Sequence, residues 1–243
     1  MKPLYIDIGN SRIKIAVYKE PEWEIVNIID RSRSADLVKL IERNHPYYSE
    51  IHVSSVLKAV ADDVVAACPA EKLYFFTNGK IPDERISYEN HATIGVDRFL
   101  AATGAWSQTH NSCIVIDAGT ACTIDYIDKQ SIFQGGVIMP GLRTIEGEFA
   151  NSAKALPPVD RIIPNEWPPK STNTALQWGI FGSFTSAVEA HMKRFLEYDE
   201  HAEVWLTGGD AGLLKPILPS GITRDDNLIF KGLKHMAYSS KAT

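Results

Sequence analysis

Apolar and polar positions alternate from the start of the chain. Residues 4–8 are an apolar run interrupted by Asp7, and over 13–18 Ile13, Ile15 and Val17 alternate with Lys14, Ala16 and Tyr18. That period of two predicts strands, and a third run at 25–30 extends them into an antiparallel meander. Leu37, Leu40 and Ile41 then recur at helical spacing, which predicts a helix over 34–42 with Ser34 as its cap. "IHVSSV" (51–56) and "KLYFFT" (72–77) read as strands on either side of a helical "KAVADDVVAAC", and a helix is expected over 95–107. The first half therefore reads βββαβαβ before that helix.

The second half restarts the series. Strands are predicted at 113–117, 121–127 and 135–139, and a long helix at 174–198 from the spacing of Leu176, Ile180, Phe181, Phe184, Val188, Met192 and Phe195. "EVWLTGGDA" (203–211) reads as a strand entering a Gly-Gly turn, and residues 228–240 as a last strand and helix. Five prolines fall within 157–169, a composition incompatible with a helix or central strand. Two readings of that segment stand: a rigid surface linker, or a loop bordering an active site or a subunit interface. The repeat of the pattern predicts an α/β duplication with domains at 1–111 and 112–243 and a cleft between them.

Composition changes the picture little. A chain of 243 residues with 44% hydrophobic and 23% charged positions belongs with soluble globular proteins. The formal net charge of −5 argues against nucleic acid or an anionic membrane held by bulk electrostatics. No apolar run approaches the ~20 residues of a membrane span, and the N-terminus lacks a signal-peptide pattern, so a cytoplasmic location is expected. Cys68, Cys113 and Cys122 form no Cys-x-x-Cys pair, and the histidines no His-x-x-x-His pair, so reduced thiols and no zinc or histidine metal centre are expected.

The candidate chemistry lies in two similar turns. "YIDIGNSRIKIAVY" (5–18) and "VIDAGTACTIDYI" (115–127) each place Asp-x-Gly and a small polar residue between β-rich runs. Gly9 and Gly119 allow a sharp bend and close backbone approach to an anion; Asn10, Ser11 and Thr120 add polar donors, and Lys14 a positive charge. An acid beside phosphate-binding donors implies a cation between them, Mg²⁺ being the usual one, directly or through water, with a hard monovalent cation as a second possibility for one turn. The alternative is that both are simply good hairpin turns, a reading weakened by the second copy and by the turn of Gly208 and Gly209.

The paired hairpins resemble the phosphate-1 and phosphate-2 loops of the superfamily of actin, the sugar kinases, acetate kinase and the heat-shock chaperone ATPases, and "WLTGGDA" resembles its adenosine turn. Within it, "DIGNSRIK" (7–14), "GVDR" (95–98), "DAGTACTID" (117–125) and "GGVIMPG" (135–141), with "ALPPVD" and "STNTALQWG" in order, resemble the type III pantothenate kinases nearly end to end. The resemblance implies duplicated ribonuclease H-like (actin-like ATPase) domains and phosphorylation of pantothenate by ATP, the first step towards coenzyme A. It implies nucleotide contacts at Asp7, Ile8, Gly9, Asn10, Ser11, Arg12, Ile13, Lys14 and Thr120, with Asp7 serving Mg²⁺, mainly through water. It implies a monovalent cation, K⁺ or NH₄⁺, at Asp117, and pantothenate contacts at Tyr88, Gly95, Val96, Asp97, Arg98 and Thr172, with Thr174 a near competitor of Thr172. Asp97 would be the catalytic base. A homodimer is implied too, with part of its contact on the 174–198 helix, where Gly179 and Gly182 would permit close approach.

Two rivals stand beside this reading. A non-catalytic regulator on the same scaffold need not keep Asp7, Asp97 and Asp117, and another phosphotransferase or phosphatase of the superfamily would not be expected to carry the G-x-D-R block and Tyr88. Asp97 could also be an acid placed in a first helical turn, where the helix dipole favours it by ~0.3–1 kcal/mol.

Overall fold

In a computed structural model, which describes residues 1–239, the alternating runs form two five-stranded sheets. Residues 240–243, which the sequence reading placed in the C-terminal domain, lie outside the described residues. The first sheet is built from β1 (Lys2–Ile8), β2 (Arg12–Lys19), β3 (Glu22–Asp30), β4 (Tyr48–Ser55) and β5 (Leu73–Phe76), in the order β3-β2-β1-β4-β5. The second holds β6 (Cys113–Ala118), β7 (Ala121–Ile127), β8 (Phe133–Pro140), β9 (Glu203–Thr207) and β10 (Thr223–Arg224), in the order β8-β7-β6-β9-β10. Counted within each sheet, the order is the same. In both, the first strand runs antiparallel to the second and parallel to the fourth. The duplication read from the sequence is therefore a duplication of topology.

Two compact units follow, but not as two continuous halves. Among the described residues, one comprises 1–110, 129–134 and 227–239, and the other 111–128 and 135–226. The C-terminal segment joins the first unit through α3 (Val96–Thr109) and α8 (Leu228–Ser239). A Cβ on Gly104 would stand 2.0 Å from the Leu228 carbonyl oxygen, and one on Gly232 2.0 Å from that of Leu100. Only glycine lets the two backbones meet at that distance. The expected strand at the start of this segment is absent: residues 228–239 form one continuous helix in which Leu228, Phe230, Leu233 and Met236 are all buried.

Strand alternation sorts the first sheet into two faces. Leu4, Ile6 and Ile8 of β1 join Ile13, Ile15 and Val17 of β2 in one core, covered by Leu37 and Ile41 of α1 (Ser34–Asn44) and Val64 of α2 (Lys58–Ala67). Each such fully buried aliphatic side chain is worth about 1.5–3 kcal/mol. The opposite face carries Tyr5 and Asp7, with α8 and α3 against it: Trp23 stacks on Phe230, and Phe76 on Phe99. Ser34 does not cap α1. It is the first helical residue, and the Asp30 carboxylate instead caps the preceding 3₁₀ turn, accepting from the Ser32 N–H at 2.9 Å.

In the second unit, Ile114, Ile116 and Ala118 of β6 pack on Phe181, Phe184, Val188 and Met192. The expected long helix begins earlier and is interrupted: α5 (Thr172–Gln177) passes through a π-helical turn (Trp178–Gly182) into α6 (Ser183–Tyr198). A Cβ on Gly182 would lie 2.6 Å from the Trp178 ring, so this glycine accommodates its own helix. Helix α4 (Leu142–Ser152) is a further element that the sequence reading left out. Its single buried residue, Leu142, writes no helical stripe. A last short helix, α7 (Ala211–Leu214), follows β9.

Candidate active site

In the first unit, β1 ends at an acidic turn. The Gly9 N–H closes it by donating to the Arg12 carbonyl at 3.0 Å, leaving the Asn10, Ser11 and Arg12 side chains exposed. Ile8 and Ile13 are fully buried, so any nucleotide contact at these two positions is limited to their backbone. Asp7 lies opposite Lys14 in the antiparallel register and beside Ser54 in the parallel one. The Ser54 hydroxyl donates to Asp7 Oδ1 at 3.2 Å. Burial pushes the Asp7 carboxyl up to about 6; the charge of Lys14 and the Ser54 hydrogen bond oppose the shift, and the charge of Asp97 adds to it. Register puts Lys14, and the packing of α3 puts Asp97, within electrostatic reach of Asp7.

Asp97 sits in the first turn of α3, after Gly95 as N-cap. Its Oδ1 accepts from the Arg98 N–H at 2.9 Å. Burial raises its pKa, while its backbone hydrogen bonds and the Arg98 charge pull it down. Val96 and Arg98 are both buried. The Arg98 guanidinium lies over the ring of Phe133, 5.6 Å from its centroid, and the half-buried Tyr88 ring is 6.4 Å from the same ring. Tyr88 and Arg98, seven and three residues from Gly95, therefore share one aromatic neighbour.

The second unit repeats the turn with different neighbours. The Gly119 N–H donates to the Ala121 carbonyl at 3.1 Å, so the glycine amide is used internally here too. The Thr120 carbonyl accepts from the Gly141 N–H at 3.0 Å and from the Thr144 hydroxyl at 2.8 Å, docking the start of α4 on the turn. Gly208, at φ +97°, packs against the end of β6; a Cβ there would stand 2.5 Å from Asp117 Oδ1 and 2.6 Å from the Ala118 backbone. Asp210 is buried and held by Arg143 at 3.3 Å and Arg161 at 3.5 Å, and Arg161 also pairs with Glu146. The thiol of Cys122 is pushed up to about 12 by burial and by the charges of Asp117, Asp125 and Asp210, which makes it an inert core group at neutral pH.

Arg161 belongs to the proline-rich segment, which packs against this unit. Residues 157–169 have no helix or strand, yet Val159 and Ile163 pack on the core, and Trp178 Nε1 donates to the Glu166 carbonyl at 3.2 Å. The segment is tied down beside the turn of Gly208 and Gly209. Thr172 opens α5 with an exposed side chain, whereas the Thr174 hydroxyl is engaged with Ser171 in a capping box.

Among the described residues, no group of three or more His, Cys, Asp or Glu side chains could hold a metal ion alone. Asp7 with Ser54 still suits Mg²⁺, an ion that keeps several waters and shares its remaining ligands with substrate phosphates. All three cysteines are free and buried. No helix among the described residues is long and apolar enough to cross a membrane. Ser54, Phe133, Arg143, Arg161 and Asp210 are the site residues that sequence reasoning missed; only Asp210, inside "WLTGGDA", carried a local signal.

The repeated sheet with its two acidic turns defines a duplicated α/β fold. Among solved structures, a Baf-family transcriptional activator protein from Campylobacter jejuni superposes with a TM-score of 0.68 at 20% identity over 99% of this chain and 100% of that one. A ROK hexokinase from Thermus thermophilus does so with a TM-score of 0.54 at 12% identity, over the full length of both. At those identities the likeness speaks for the fold alone. The sequence goes further: the family model described as type III pantothenate kinase matches residues 3–194. The type III pantothenate kinase of Geotalea daltonii is 30% identical over 247 residues, covering 95% of this chain and 96% of the relative. That of Flavobacterium johnsoniae is 28% identical over 231 residues, covering 95% of each. The chain belongs to the type III pantothenate kinase family.

Proposed function

We infer that the protein transfers the γ-phosphoryl group of ATP to the primary hydroxyl of pantothenate, opening coenzyme A synthesis. The observation that carries this reading is that Asp7, buried on one face of the first sheet, has the half-buried Asp97 of α3 close enough for the Asp97 charge to raise its carboxyl. A regulator on the same scaffold has no need of two such costly groups. Asp97 takes the hydroxyl proton as the oxygen bonds to the γ-phosphorus and the bond to the ADP oxygen breaks. Its raised pKa makes it a better base than an ordinary carboxylate, and its hydrogen bond from the Arg98 N–H fixes its orientation. Arg98 and Tyr88 hold pantothenate, with Thr172 as a further contact, and the side chains of Asn10, Ser11, Arg12 and Lys14, with Thr120, take the phosphates. Asp7 and Ser54 would hold Mg²⁺, which when bound neutralises phosphate charge. Asp117 supports a monovalent cation, the enzyme works as a homodimer, and it acts in the cytoplasm.

Pantothenate-dependent ADP release, measured with and without K⁺, tests the reading. Wild type should turn over faster with K⁺, and Asp97→Asn should lose about 10²–10⁴-fold in kcat while keeping its melting temperature. Folded wild type that releases no ADP in response to pantothenate would refute the activity; turnover indifferent to K⁺ would refute the cation alone.

A further inference from the structure

We infer that Phe133 is the positioning residue of the acceptor subsite, an inference that rests on Tyr88 and Arg98 holding the substrate. Phe133 is fully buried at the start of β8, within residues 129–134, the short stretch that belongs to the first unit although the residues flanking it belong to the second. Four interactions seat that stretch. Arg85 Nε donates to the Ser131 carbonyl at 2.8 Å, Trp106 Nε1 to the Lys129 carbonyl at 3.1 Å, and the Ser87 N–H to the Phe133 carbonyl at 2.8 Å. Ile86 also bridges Phe133.

The seated ring then meets both substrate residues: Arg98 over it at 5.6 Å and Tyr88 at 6.4 Å. An aromatic face attracts a guanidinium without using any of its in-plane N–H donors. Phe133 can therefore hold the plane of Arg98 without itself engaging any of those donors. The same ring limits the tilt of Tyr88. A single buried side chain thus sets the angle between two groups that start ten residues apart on an irregular loop and a helix.

The test is steady-state kinetics of the full-length protein. Phe133→Leu should raise KM for pantothenate about 10-fold while KM for ATP stays within about twofold. Phe99→Leu is the control, since Phe99 is equally buried and packs on Phe76 and on Phe133 itself. It should lower the melting temperature without the selective KM rise. Equal shifts in both KM values, or the same selective rise in Phe99→Leu, would overturn the inference. If Phe133→Leu does not fold, Arg85→Gln decides: releasing the Ser131 clamp should raise KM for pantothenate alone by about threefold, and an unchanged KM overturns the inference. Wild type without pantothenate-dependent turnover would overturn this inference and the kinase reading together, whereas active wild type with an unaltered Phe133→Leu variant would remove only this one.

Discussion

Burying Asp7 costs stability that its removal should return, and the return should depend on pH in a calculable way. The carboxyl rises from an ordinary 3.8 to about 6 in the folded chain, chiefly through burial. The folded state therefore holds this proton more tightly than the unfolded state. Stability from the group is full below its unfolded pKa and lost as the pH rises through about 6. The whole displacement corresponds to about 3 kcal/mol. Between pH 5 and pH 8 about half of it, roughly 1.5 kcal/mol, is lost in wild type.

Asp7→Asn has no such proton. Its melting temperature relative to wild type should therefore improve by about 3–6 °C between pH 5 and pH 8, at the ~2–4 °C per kcal/mol usual for a chain of this length. The opposing effects of Lys14 and of the Ser54 hydrogen bond are already contained in the shifted pKa, so they add no separate pH dependence to the comparison. Thermal denaturation followed by circular dichroism in matched buffers, without nucleotide or divalent metal, measures it. A difference that stays flat between the two pH values, or that moves against the variant, would refute the assignment of Asp7 as a buried, strained acid. It would also remove the argument that the site spends stability on a charge reserved for cation and phosphate.

Two smaller predictions concern the second unit. Gly208→Ala combines a φ of +97° with a Cβ 2.5 Å from Asp117 Oδ1, so its melting temperature should fall by about 5 °C or more; an unchanged value would mean that the turn relaxes freely. Arg161→Gln breaks the ties to Glu146 and Asp210, so limited proteolysis should cut within 157–169 faster than in wild type while the melting temperature moves by no more than about 3 °C. Equal cleavage rates would mean that Val159 and Ile163 alone hold the segment.

What the sequence disclosed and what it hid divide along a physical line. Strands β1, β2, β6 and β7 were legible because their alternation and their Asp-x-Gly turns are local, and the two acids fell where the turns said. Helix α4 was not, because its one buried residue writes no periodic stripe and its anchor, the Thr120 carbonyl, lies more than twenty positions back. The start of α8 was misread as a strand because "LIF" has strand-like residues, while the contact that makes it helical, Gly232 on Leu100, is a long-range one.

The same division runs through the site itself. Asp7, Asp97 and Asp117 announce themselves by motif, but what makes an acid into a working acid is its neighbour across a register. Ser54 reaches Asp7 only because β4 pairs parallel to β1 at that offset, and a one-residue slip would turn Ser54 to the core of α1 and α2 and away from the carboxylate. Phe133 meets Arg98 and Tyr88 only because a six-residue stretch is seated in the first unit by backbone carbonyls, which carry no sequence signature at all. A motif therefore names the groups that do chemistry, whereas their pKa values and angles are properties of pairing. Substitutions at Ser54 and Phe133 should consequently alter function as strongly as many substitutions within the motifs, although nothing in their immediate sequence marks them.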